Sequence, residues 1–106
     1  MEIQGAESYL SQLKSRRRKP GEGLRVLCND IKDLVRLAYP EMTTDLQNRI
    51  GREYFKESLE DTELRQAIFR AGSKTLDGTM AAAMEWESFM KAEAQLFIDR
   101  QTNGQV

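Results

Sequence analysis

"EGLRVLCNDIKDLVRLA", residues 22–38, carries the clearest periodicity in the chain. Leu24, Leu27, Cys28, Ile31, Leu34, Val35 and Ala38 recur at intervals of three and four, which places them on one face of an α-helix. Arg25, Asn29, Lys32, Asp33 and Arg36 fall largely outside that stripe. One face therefore meets a core and the other meets water. Pro40 ends the segment, because proline cannot continue a helix.

The same pattern continues outward in both directions. A first helix is expected from about Glu2 to Arg17, with Ile3, Ala6, Tyr9 or Leu10, and Leu13 inward. It ends in "KSRRRKPGEG", residues 14–23, where Pro20 and Gly21 break the chain. A third helix begins near Thr44, with Thr44 and Gln47 as a capping box and Thr43 as the alternative cap, and takes its apolar contacts from Leu46, Ile50, Tyr54, Phe55 and Leu59. Gly51 sits inside it, where a glycine costs about 1 kcal/mol against alanine and marks a close approach by another backbone. A short fourth helix, Asp61 to Ala71, turns Leu64, Ala67, Ile68 and Ala71 inward and stops at Gly72. Thr75 caps a fifth, running to about Arg100, with a broad stripe of Leu76, Met80, Ala83, Met84, Phe89, Met90 and Phe97. The expected fold is all-α: one compact bundle of about five helices over residues 1–100, with a polar, frayed tail over 101–106.

Composition narrows the chemistry. A 106-residue chain that is 40% hydrophobic and 31% charged has the make-up of one globular domain. Its net charge of −1 gives no global field for nucleic acid, so any basic function must be local. Histidine is absent, which removes the commonest general base and metal ligand. The lone Cys28 can form neither an internal disulfide nor a Cys/His pair, and on a buried stripe it reads as a small core hydrophobe. No apolar run marks a membrane span or a leader, so the expected setting is cytoplasmic, with no membrane partner. No catalytic residue, cofactor or metal is expected, and the chain is read as not an enzyme.

The motifs that invite chemistry do not hold. "PGEG" lacks the strand, the spacing and the lysine of a phosphate loop, and Glu22 would repel phosphate. "LDGT", residues 76–79, has the wrong residue order for an aspartic protease. Arg16, Arg17, Arg18 and Lys19 are candidate contacts for RNA or another polyanion. No aromatic is interleaved with them for base stacking, so the plainer reading is a basic helix terminus.

"RKPGEGLRVLCNDIKDLVRLA", residues 18–38, resembles the major homology region of retroviral and gypsy-type LTR-retrotransposon Gag capsids. Gly21 and Glu22 match its Gly-Glu step, Leu24 and Arg25 the hydrophobe and basic residue that follow, and Leu27 and Ile31 the later core positions. "AYP", "TTDLQNRIGREYFKESL", "DTELRQAIF" and "GSKTLDGTMAAAMEWESFM" then resemble the remaining capsid segments in order, so the likeness covers about residues 6–95. The layout is also similar to the C-terminal lobe of Arc-like domesticated Gag proteins. Two positions depart from the pattern: Arg18 stands where the family has Gln, and Asp30 where retroviral capsids often have a second Arg.

The resemblance implies a capsid C-terminal domain. Such a domain dimerises to link capsomers in a virus-like shell, and its assembled particles can be released. It also implies a two-fold contact on the helix after the homology region, with Met42, Leu46, Arg49, Ile50 and Glu53 as candidates. The residues are compatible with this: Arg49 and Glu53 lie one turn apart, so each can meet its opposite across an antiparallel pair. The alternative for Leu46 and Ile50 is that they face the domain's own core. The alternative function is a Gag-derived helical adaptor that binds a peptide or partner helix through Met80, Met84, Trp86, Phe89 and Met90.

Overall fold

The computed structural model describes residues 5–103. Within them the chain forms five α-helices and no strand: α1 Ala6–Ser15, α2 Leu24–Ala38, α3 Thr44–Glu57, α4 Thr62–Ala71 and α5 Leu76–Asn103. Helix α2 lies at the centre, packed against α1, α3 and α5, while α4 packs on α5. All seven residues of its periodic stripe are buried. They join Leu13, Phe55, Leu59, Leu64, Ile68, Leu76, Met80 and Ala83 in a single core.

Local chemistry sets the boundaries. Helix α1 starts after Gly5, and the expected Glu2 and Ile3 lie outside the described residues. It ends at Ser15, two residues earlier than its charge pattern suggests, because Arg16 leaves the helix in an extended conformation. The next turn closes with the Glu22 amide donating to the Lys19 carbonyl at 3.0 Å. Gly21 has φ +78, which only glycine adopts without strain, and Pro20 before it supplies the fixed φ of such a turn.

Thr43, the alternative, is the cap of α3: its hydroxyl accepts from the Leu46 amide at 3.2 Å. Gln47 instead donates its side-chain amide to the Tyr39 carbonyl at 2.8 Å, which ties the α2–α3 connection together. Asp61 caps α4 by accepting from the amides of Glu63 and Leu64. Gly72, at φ +69, ends it, and Thr75 caps α5 by accepting from the Gly78 amide at 2.9 Å.

Gly51 is buried, and a Cβ there would lie 3.0 Å from Leu76 Cδ2 and 3.8 Å from Val35 Cγ2. The close approach is therefore made by side chains of α5 and α2 rather than by another backbone.

Helix α5 departs from the expected compact bundle. Its first half is core, but every residue from Ser88 to Gln101 is exposed. The helix continues through Asn103, so the first residues of the expected tail are helical, while residues 104–106 lie outside those described. The radius of gyration is 17.4 Å, against about 13 Å for a compact domain of this length. The second half of α5 is an arm that leaves the body.

Candidate functional site

The turn between α1 and α2 is built on ion pairs. Glu22 precedes the helix cap, Gly23, and turns back on the connection rather than serving the helix N-terminus. Its carboxylate accepts from Arg16 Nη2 at 2.5 Å and Nη1 at 3.2 Å, and from the Lys19 amide at 2.9 Å. Arg16 also donates from Nε to Asp30 at 2.6 Å. These donors hold the Glu22 carboxyl below its ordinary pKa, the Arg16 hydrogen bond foremost and the Lys19 amide next. The Arg16 guanidinium is correspondingly pushed above its ordinary value, chiefly by Glu22.

Arg18 ties that turn to the rest of the molecule. Its amide donates to the Ser58 carbonyl at 2.9 Å, and its Nε to the Glu22 carbonyl at 2.8 Å. Its two terminal nitrogens make a forked pair with Glu87 on α5, at 2.6 and 3.1 Å. A planar guanidinium suits this fork in a way that an amide does not. The two departures from the Gag pattern thus each hold an ion pair, Asp30 with Arg16 and Arg18 with Glu87.

This arrangement divides the candidate polyanion contacts. The guanidiniums of Arg16 and Arg18 are turned to internal carboxylates. Arg17 and Lys19 are exposed, and Arg17 lies 3.8 Å from Glu60 and reaches back to the Lys14 carbonyl at 3.2 Å. The run therefore acts first as a helix terminus and a joint.

The homology-region candidates fall into two groups. Leu24, Leu27 and Ile31 are buried, whereas Gly21 and Arg25 are on the surface. On the α3 side, Met42 and Leu46 are exposed, at 41% and 42%, and Arg49 and Glu53 also face solvent. Ile50 is half-buried and packs against the domain's own core, so it joins the outward patch only at its edge. Glu53 contacts Arg52 and Lys56 of its own helix, at 2.6 and 3.5 Å.

The face proposed for an adaptor is split as well. Met80 is core, and Met84 and Trp86 are partly buried against it. Phe89 and Met90 stand on the exposed arm. Met84, Trp86 and Met90 line an open groove of about 630 Å³, together with Asp61, Glu63, Lys91 and the paired Arg18 and Glu87.

The sequence reading missed Leu96 and Ile98, which are exposed on the arm at 47% and 54%. Their apolar side chains in an expected long helix were the available signal. Among the described residues no group of three or more metal-ligating side chains comes together, and no helix is long and apolar enough to cross a membrane. Compared with known proteins, the chain matches no family model, no curated protein and no solved structure.

Proposed function

We propose that this chain is a self-association domain of the Gag capsid C-terminal type, pairing copies through the outward face of α3. The observation that carries the reading is the pair of exposed apolar side chains Met42 and Leu46 beside Arg49 and Glu53. That face offers an apolar centre flanked by opposite charges, as a two-fold interface requires. The buried α2 stripe after the Gly21–Glu22 turn agrees with the homology-region resemblance. In this reading the domain is a building block without catalysis, and one weak contact repeated over many copies gives a shell its strength.

Sedimentation velocity tests it on the wild-type chain, Leu46→Asp and Arg49→Glu, with circular dichroism as the control for folding. Concentration-dependent association that weakens in both variants at unchanged helicity supports the reading. A wild-type chain that stays monomeric to millimolar concentration refutes it. Ile50→Asp serves as the contrast: it loses helicity, because Ile50 packs on the core.

A second reading, an adaptor, is favoured by the groove beside Trp86. Its lining of Leu24, Met84, Trp86 and Met90 suits an apolar side chain of a peptide, with charges of both signs around it.

A further inference from the structure

The exposed half of α5 has no packing partner within the described chain. Sixteen residues, 88–103, extend about 24 Å beyond Glu87, the last half-buried residue before the exposed run. Most helical stability in proteins comes from packing of an apolar face, which the body does not give these residues. The arm also presents Phe89, Met90, Leu96, Phe97 and Ile98, exposed at 58, 40, 47, 60 and 54%. Met90, Phe97 and Ile98 share one side of the helix and offer on the order of 300 Å² of apolar surface, with a fully exposed aromatic presenting about 150–250 Å², while Phe89 and Leu96 lie about a third of a turn round from them. A standard interface buries about 800 Å² per partner and is about 60% apolar, so this side carries the apolar share of a small, weak one.

The spacing selects the occupant. Met90, Ala94, Phe97 and Gln101 follow one another at intervals of four, three and four, the seam of a coiled coil. Glu93 and Arg100 flank that seam on the same side, seven residues apart. We infer that two α5 arms pair antiparallel, each the partner of the other, with the overlap centred between Gln95 and Leu96. Phe97 then sits opposite the partner's Ala94, a large side chain against a small one, and Met90 opposite the partner's Gln101. Glu93 reaches the partner's Arg100, and symmetry makes that ion pair twice. The overlap spans 88–103, the same residues that leave the body. A parallel pair does not fit: it stacks Phe97 on Phe97, sets Glu93 against the partner's Ile98, and makes neither ion pair.

This inference rests on the self-association reading but places a contact on α5 that is separate from the α3 face. The experiment is sedimentation velocity at low salt on Glu93→Arg, Arg100→Glu and their equimolar mixture, all in a Leu46→Asp background that removes the α3 contact. Both positions are exposed, so helicity is retained and serves as the control. Each variant repels itself and loses affinity by about tenfold or more, from two lost pairs and two new repulsions. The mixture recovers, because the Glu93→Arg chain is basic at both positions and the Arg100→Glu chain is acidic at both.

Single variants that dimerise like the Leu46→Asp parent, or a mixture that stays monomeric, overturn the arm pairing. If the wild type associates and the Leu46→Asp parent is monomeric, the α3 reading stands and the arm pairing fails. If the wild type does not associate at all, both fail. Binding of a monomeric wild type to vesicles of phosphatidylserine and phosphatidylcholine would give the arm's apolar face to a lipid surface instead, and also refute the pairing.

Discussion

Replacing Glu22 by Gln keeps the side chain's shape and removes its charge. The carboxylate is only 10% exposed, its partner Arg16 only 12%, and it accepts three hydrogen bonds. Removing one member of a fully buried pair costs about 3–5 kcal/mol, while exposed pairs contribute about 0–1 kcal/mol. Arg16 keeps Asp30 in the variant, so an intermediate loss of about 2 kcal/mol is expected at pH 7. For a domain of this size that lowers Tm by about 10 °C.

The pH dependence identifies the cause. Glu22 has its folded pKa depressed, so its contribution is fully present above the unfolded value, about 4.3. It is lost as pH falls through the lower folded value. The gap between wild type and Glu22→Gln must therefore be constant near neutrality and shrink in acid. Urea unfolding followed at 222 nm, at micromolar protein, measures that gap across pH 7 to 2.5. A difference under 0.5 kcal/mol at pH 7, roughly the size of an ordinary surface substitution, refutes the electrostatic account. So does a gap that persists undiminished in acid.

Other substitutions probe the core. Leu27→Ala empties a fully buried site on the central helix and should cost about 2–5 kcal/mol, read by the same urea titration. Gly51→Val drives methyl groups toward Leu76 and Val35, and overpacking of about 1–3 kcal/mol should exceed any gain in helix propensity. Cys28 is buried, and burial pushes its thiol pKa up. Its reaction with a disulfide reagent should be slow in the native protein and fast in denaturant, so rapid native labelling would contradict the packing of α2.

What could be read from the sequence was whatever depends on neighbours along the chain. The α2 stripe, the stops at Pro40 and Gly72, and the cap at Thr75 all follow from spacing and backbone chemistry, and the structure agrees with them, whereas α1 stops at Ser15, well before Pro20. The α3 cap lay between Thr43 and Thr44, which local pattern does not separate; the Leu46 amide selects Thr43. Periodicity assigned Ala71 inward because it cannot tell how far a packed face extends, and that residue is exposed. The same limit hid the division of α5, where Met80 meets a core and Phe97 meets none. The Arg18–Glu87 pair joins residues 69 apart and leaves no local trace. Only the fold brings them together, and with them the joint formed by the basic run.

The uninterrupted course of α5 also carries a consequence for orientation. After Gly78 the helix contains neither glycine nor proline, so body and arm share one rigid rotational phase. One alanine inserted after Glu87 would turn everything beyond it by about 100° relative to the core, while seven would return it to within about 20° and lengthen the arm by about 10 Å. Phase and reach can thus be varied separately, in a single helix, without touching a buried residue.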